Sequence, residues 1–294
     1  MISPTRAVID VGSNSVRLLI SKNGQTINKF ALVTRLSLGL TNDKVLNEDS
    51  IKRTIDALSF FKNKAVKEFN VDKIYVFATA GVRYAKNRLE FVEMVKRELE
   101  LDLDVISGEL EAEIGALGAL NGNDGGFIDL GGKSTEIVQI VSNKHVYSKS
   151  FEIGVVTLTE TFGQNVDMIR RYASEFLHNN IDKSKLNTKN FVIVGGTATT
   201  LGAITLGLKE YDFRLVDNAI VTKKDIVKIV NDLAIVPVAE RSKRFCIQSG
   251  REDVILSGAV FIGELLDFLE VDKFIVRDSD NLEGYLIKKE VVND

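Results

Sequence analysis

Apolar positions fall in two kinds of run along this chain, and their alternation predicts an α/β protein. Strand-length runs are Ala7 to Ile9, Val16 to Ile20, Asp72 to Ala80 where a buried strand runs into a small-residue turn, Phe127-Ile128, Ile137 to Ile140 and Phe191 to Val194. Further strands are predicted at Thr26 to Val33, Leu103 to Ile106, His145 to Ile153 and Lys273 to Val276. Between them, apolar residues recur at helical spacing. Ile51, Ile55, Leu58, Phe61 and Ala65 share one face of a helix that begins near Ser50. Helices are also predicted over Phe91 to Leu99, Glu109 to Leu120 with Ser107 as its cap, Thr157 to Phe162 and Val166 to Leu177. The series continues from Ala198, over Lys223 to Leu233 and Val254 to Leu269, and ends with a short helix at Glu283 to Lys289. Each half therefore reads β-β-β-α-β-α. The turn cluster Asn121-Gly-Asn-Asp-Gly-Gly126 predicts a boundary that separates domains 1–120 and 121–282, with 283–294 a candidate completion of the first.

The two halves open on the same pattern. Ile9-Asp10-Val11-Gly12-Ser13-Asn14-Ser15 matches Ile128-Asp129-Leu130-Gly131-Gly132-Lys133-Ser134 as Ile-Asp-apolar-Gly-x-x-Ser. Each copy sits between two apolar runs, so each predicts strand, tight turn, strand. Small turn residues let backbone N–H groups approach an anion, Gly12 permits a positive φ, and the aspartate can hold a cation or a water. An ordinary hairpin uses the same residue types. What sets these two apart is their repetition in matching context. The second copy adds Lys133 as a cation and Glu136 as a second carboxylate.

Composition narrows the classes. The chain has 294 residues, 45% hydrophobic and 27% charged, as in a soluble globular protein of two ordinary domains. A net charge of −3 gives no global basic field, which argues against nucleic acid as a partner. One cysteine, Cys246, forms no internal disulfide and suits a reducing cytoplasm. Two histidines, His145 and His178, argue against a His-rich metal site or a Ser-His-Asp triad. No apolar run approaches the roughly 20 residues of a membrane helix, and the start of the chain shows no charged-then-apolar signal segment.

Three more stretches carry candidate chemistry. Gly195-Gly196-Thr197 follows a buried strand and opens a helix, where backbone donors favour anions. A plain strand–helix connection has the same appearance. Arg83, after Ala78-Thr-Ala-Gly81, has the fork to hold a phosphate; a surface arginine is the alternative. Glu109, Glu111 and Glu113 start one helix, where acidic residues also complement the helix dipole. Glu111 lies about 200° around the helix from each of the other two. If it faces the cleft between the two domains, it can orient or deprotonate a water.

Taken together, these residues resemble the exopolyphosphatase and guanosine pentaphosphate phosphohydrolase (Ppx/GppA) family. The matching stretches are Ala7 to Ile20, Ala78 to Asn87, Val105 to Ala112, Phe127 to Glu136, Val192 to Leu201, Arg251 to Ala259 and Asp278 to Gly284. They cover nearly the whole chain in order. The resemblance implies two actin-like (ribonuclease H-like) lobes of the sugar kinase, actin and Hsp70 superfamily, with a cleft between them. It implies Glu111 as the catalytic glutamate that positions the attacking water. It implies a first phosphate loop of Asp10, Gly12, Ser13 and Asn14, with Arg83 at the phosphate end. Gly131, Gly132, Lys133 and Ser134 are the implied second loop, with Asp129 and Glu136 as the Mg²⁺ site, open to other divalent cations. Gly195, Gly196 and Thr197 are the third. Arg251 and Asp253 are expected to brace their lobe.

Three departures from the family pattern stand out. Lys133 replaces a third glycine, and Val216-Asp217-Asn218 replaces Val-His-Gly. The C-terminal helical domain of longer relatives has no counterpart in this sequence, which predicts reduced processivity on long polyphosphate. The expected activity is release of terminal phosphate from inorganic polyphosphate or guanosine pentaphosphate, by a cytoplasmic enzyme with no nucleic-acid or membrane partner. A homodimer is expected from the relatives. An ATP-dependent kinase of the same superfamily and a non-catalytic alarmone or polyphosphate sensor are the alternatives.

Overall fold

The computed structural model describes residues 4–186 and 190–291, which divide into two units. Unit one runs through Gly118 and resumes at Asn281, and unit two is Ala119–Asp280. The segment 283–294 put forward from the sequence has residues 292–294 outside those described.

Unit one starts with β1 (Thr5–Val11), β2 (Ser15–Lys22) and β3 (Gln25–Val33), an antiparallel meander. The short α1 (Leu40–Asp43) and long α2 (Glu48–Phe69) lead to β4 (Lys73–Ala78). Then come α3 (Ala80–Arg83), α4 (Arg88–Leu99), β5 (Leu103–Val105) and α5 (Gly108–Leu120). The strand order is β3-β2-β1-β4-β5, with β4 parallel to both β1 and β5. Strand β1 lies at the centre because both its faces are apolar: Ala7, Val8, Ile9 and Val11 are all fully buried. The predicted stripe of α2 is buried, and the Asn47 side chain caps it by accepting from the Ser50 N–H at 2.9 Å.

Unit two repeats the plan. Strands β6 (Gly125–Leu130), β7 (Thr135–Val141) and β8 (Lys144–Phe151) form a meander. They are followed by α6 (Val155–Phe162), α7 (Val166–Asn180), β9 (Phe191–Val194), α8 (Gly195–Thr205) and α9 (Phe213–Val216). Next are β10 (Ile220–Thr222), α10 (Lys223–Ile235), α11 (Arg241–Arg244), α12 (Ile255–Leu269) and β11 (Lys273–Val276). The sheet runs β8-β7-β6-β9-β11-β10, with β9 parallel to β6 and β11. Both sheets thus place three antiparallel strands beside parallel ones in the same order, and each unit is an α/β lobe of the actin-like kind. Helix α12 is buried on nearly every side, as its long apolar run requires.

The last helix, α13 (Asn281–Val291), returns to unit one. Its Leu282, Tyr285 and Leu286 join Val8, Leu19, Phe77, Ile106 and Ile114 in one apolar cluster. Tyr285 stacks on Phe77 at 4.5 Å and donates to Asp104 Oδ2 at 2.8 Å. Gly284 lets α13 seat on α5, since a Cβ there would lie 1.7 Å from the Ile114 carbonyl oxygen.

The sequence reading omits α1, α3, α9, α11 and β10, which are too short to show a full period. It starts α8 at Ala198, whereas the helix begins at Gly195, directly off the strand. Among the described residues no helix is long and apolar enough to cross a membrane.

Candidate functional site

The twin motifs fold alike. In unit one the Gly12 N–H donates to the Ser15 carbonyl at 3.0 Å, which closes a turn with Ser13-Asn14 at its tip. In unit two the Gly131 N–H donates to the Ser134 carbonyl at 2.9 Å, with Gly132-Lys133 at the tip. The amides of Gly12 and Gly131 are therefore used within the turns. The positive φ expected at Gly12 is absent, and neither glycine adopts a left-handed backbone. Space is the constraint, because a Cβ would lie 3.0 Å from the Ser15 carbonyl oxygen at residue 12 and 3.1 Å from that of Ser134 at residue 131.

Each turn has its carbonyls bound from behind. Ser13 O accepts from Ser37 N at 2.9 Å, and Asn14 O accepts from Thr34 N and Arg35 N at 3.0 and 2.9 Å. In unit two, Gly131 O and Gly132 O accept from Val155 N and Val156 N at the start of α6, at 3.0 and 2.8 Å. With the carbonyls so held, the tip N–H groups of Ser13, Asn14 and Gly132 have no acceptor among the described residues. These are the donors an anion would meet. Ser13 and Ser134 are buried.

The turns differ across the strand pair. Residue 17 faces Asp10, and residue 136 faces Asp129. In unit one that partner is Arg17, whose Nε and Nη2 donate to Asp10 Oδ2 at 3.0 and 2.6 Å. In unit two it is Glu136, so two carboxylates stand opposite one another, both almost wholly buried. Like charges at this spacing repel, and a hard dication relieves them. Among the described residues no three or more His, Cys, Asp or Glu side chains group to hold a metal. Two carboxylates nevertheless suit Mg²⁺, which keeps waters and takes its remaining oxygens from substrate phosphate. The repeat itself signals Arg17, which the sequence reading missed: it stands seven residues after Asp10, as Glu136 does after Asp129.

Glu111 and Arg83 meet in unit one. Gly81 packs so closely on the first turn that a Cβ there would lie 3.0 Å from the Ser13 Cα, which brings α3 beside that turn. Arg83 Nη1 donates to Glu111 Oε2 at 2.8 Å and to the Ile106 carbonyl at 2.9 Å. Arg83 Nη2 is buried with no hydrogen-bond partner. Burial pushes the Glu111 carboxyl up to about 7 against the charge and hydrogen bond of Arg83; Asp10 adds to the rise and Arg17 opposes it. Burial works against the charge of Arg83, but Glu111 and Tyr84 together outweigh it and raise the guanidinium's pKa. By contrast, Glu109 is exposed, and Glu113 pairs with Lys288 at 2.7 Å.

Lys133 is buried and its ammonium lies 2.7 Å from Glu160 Oε2 on α6. Burial lowers its pKa and Glu160 opposes that fall. The lysine that departs from the family pattern is therefore tied to the helix behind its turn. The turn leaves no room there for a side chain on residue 154, since a Cβ would lie 2.4 Å from the Gly132 carbonyl carbon.

The third loop is also in unit two. Gly195 has φ of 86°, and a Cβ there would lie 2.8 Å from Asp129 Oδ1. At Gly196 a Cβ would lie 1.3 Å from Arg251 Nη1, so the Arg251 guanidinium covers this glycine. Thr197 packs its side chain on Gly258 of α12. Asp217 and Asn218, at the second departure from the family pattern, hold the segment after β11. Asp217 Oδ1 accepts from Asp278 N at 2.9 Å, and Asn218 Oδ1 accepts from Arg277 Nη1 at 2.6 Å. Tyr211 donates to Asp278 Oδ1 at 2.5 Å.

Residues 9–291 match the Ppx/GppA phosphatase family. The chain is 30% identical over 308 residues to exopolyphosphatase 2 of Mycobacterium tuberculosis, covering 95% of this chain and 96% of that one. It is 30% identical over 314 residues to the bifunctional 3-dehydroquinate synthase/phosphatase of Fusobacterium nucleatum, covering 96% of this chain but 46% of that protein's length. The crystal structure of the Aquifex aeolicus Ppx/GppA family member superposes with a TM-score of 0.78 at 34% identity, covering 99% of each chain.

Proposed function

The chain belongs to the Ppx/GppA phosphatase family, and from that premise we propose that it hydrolyses the terminal phosphoanhydride of inorganic polyphosphate or of guanosine pentaphosphate. The observation that carries the reading is the Arg83–Glu111 pair beside the first turn, in which Glu111 is buried and Arg83 half-buried. In its ionised form Glu111 accepts a proton from water and aims the oxygen at the terminal phosphorus. A carboxyl near 7 is half ionised at neutral pH, which suits a general base. Arg83 fixes that carboxylate through Nη1, and Nη2 is a donor that a phosphoryl oxygen would complete. The N–H groups of Ser13 and Asn14 add donors for oxygens that gain charge as the bond to the leaving phosphate breaks.

The arrangement of charge favours the second turn as the place for a dication. Asp10 and Glu111 are matched by Arg17 and Arg83 in unit one. Across the second strand pair a carboxylate faces a carboxylate instead, Glu136 opposite Asp129. Asp129 and Glu136 would hold Mg²⁺, which when bound supplies neutralising charge for the phosphate chain. Gly132, Gly196 and Thr197 would bind phosphate through their amides, and Lys133 would act through its charge from behind the turn.

The test is orthophosphate release from short polyphosphate, long polyphosphate, guanosine pentaphosphate and ATP side by side, with and without Mg²⁺. Turnover of one of the first three, lost on chelation, is the expected result. ATP-dependent transfer without hydrolysis would replace the reading by a kinase. Tight binding without turnover would replace it by a sensor.

A further inference from the structure

The three strands of each meander form a row across the sheet at the repeated aspartate, and the two rows differ. In unit one the row is Asp10, Arg17 and Ala31. In unit two it is Asp129, Glu136 and Ser150. Where the middle residue is an arginine, it satisfies itself on Asp10, and the third strand offers a methyl group. Where the middle residue is a glutamate, the third strand offers a hydroxyl: Ser150 Oγ donates to Glu136 Oε1 at 2.6 Å. That is the length of a charge-assisted O–H···O⁻ bond.

We infer that Ser150 is a positioning residue that fixes the carboxylate of Glu136 for a divalent cation. The last torsion of a glutamate is broad and roughly two-fold, so a buried carboxylate turns unless something holds one oxygen. Ser150 supplies that hold from β8, a strand at the edge of its sheet. Five of its eight residues, Lys144, His145, Val146, Ser148 and Lys149, are exposed. A carboxylate that ligates a metal needs such an outer partner, because the partner sets which oxygen is presented and in what direction. Ser150 touches neither substrate nor metal in this scheme; it acts through Glu136. The inference rests on the reading of Asp129 and Glu136 as the cation pair.

The experiment measures Mn²⁺ binding to the intact chain in the presence of inorganic phosphate, by the electron paramagnetic resonance of free Mn²⁺. Ser150→Ala is expected to weaken Mn²⁺ binding by about tenfold to a hundredfold, as loss of an outer-shell partner does. Its kcat at saturating Mg²⁺ should stay close to the parent value. Ser150→Thr keeps the hydroxyl and should restore the affinity, which a purely packing role of Ser150 would not predict. Unchanged Mn²⁺ affinity in Ser150→Ala overturns the inference. Asp129→Asn and Glu136→Gln locate the fault. If they lose Mn²⁺ while Ser150→Ala keeps it, the cation pair stands and Ser150 has no part in it. If all three bind as the parent does, the cation pair falls as well.

Discussion

Arg83 and Glu111 are 28 residues apart in sequence and 2.8 Å apart in space. They meet because β4 and β5 run parallel, which sets α3 at the end of one strand and α5 just past the other. The Ile106 carbonyl, between β5 and α5, takes a second bond from the same guanidinium nitrogen. A buried pair is strongly destabilised when one partner is removed, by about 3–5 kcal/mol, so each member depends on the other.

Replacing Glu111 by Gln should lower kcat by about 10²–10⁴-fold, the usual contribution of a general base. The pH profile carries the sign. The parent carboxyl, raised by burial to about 7, is protonated below that pH and cannot accept a proton, so kcat should fall as pH drops through 7. In Glu111→Gln the residual rate should lose this acid limb. Full activity in the variant, or a limb that survives the substitution, removes Glu111 from the chemistry.

Replacing Arg83 by Gln should act twice. The charge and hydrogen bond of Arg83 oppose the rise in the Glu111 pKa, so their loss should move the acid limb to higher pH. Loss of Nη2 should also cost transition-state stabilisation, on the order of 10²–10³ in kcat. Arg83→Lys keeps the charge without the fork, so it should hold the limb near its parent position while kcat still falls. A limb unmoved in Arg83→Gln would break the link between the two groups.

Lys133 and Glu160 supply a test that separates stability from binding. Lys133→Met withdraws a 2.7 Å ion-pair partner from Glu160, which is only partly buried. The cost should be roughly 2 kcal/mol, below the range for fully buried pairs. The double variant Lys133→Met with Glu160→Gln should recover part of it, because the two changes share one contact. Thermal unfolding checks this. A change in substrate KM with no change in unfolding would show instead that Lys133 meets phosphate directly.

The strand–turn–strand repeat was legible because it is local. Asp10 to Ser15 and Asp129 to Ser134 specify both turns within a few residues, and apolar alternation marks the flanking strands. The helical stripe of α2 was legible for the same reason. What the turns do with their atoms was not. Gly12 and Gly131 look like donors, but their amides close the turns. Lys133 looks like a phosphate ligand until Glu160, 27 residues on, comes to its ammonium. Glu111 stands apart from Glu109 and Glu113 on a helical wheel, yet its partner Arg83 comes from another element, and its helix is seated against α13, which arrives from the far end of the chain. Pairings over such separations follow from sheet topology, and one sequence does not print topology.

Gly284 tests whether that distant helix positions the glutamate. Ala is the better helix former by about 1 kcal/mol, so Gly284→Ala would stabilise α13 if space allowed. Space does not allow it: the new Cβ would lie 1.7 Å from the Ile114 carbonyl oxygen, and backbone cannot swing aside as a side-chain tip can. Either α13 lifts from α5 or α5 shifts, and overpacking of this kind costs about 1–3 kcal/mol or more. Ile114 is on the same helix as Glu111, so movement of α5 should lower kcat more than it raises KM, and the melting temperature should fall. Gly263→Ala in α12 is the control, because its nearest neighbour is a side-chain methyl, Ile226 Cγ2, at 3.3 Å. It should leave kcat near the parent value. If Gly284→Ala keeps both its melting temperature and its kcat, the seating of α13 on α5 does not hold Glu111 in place.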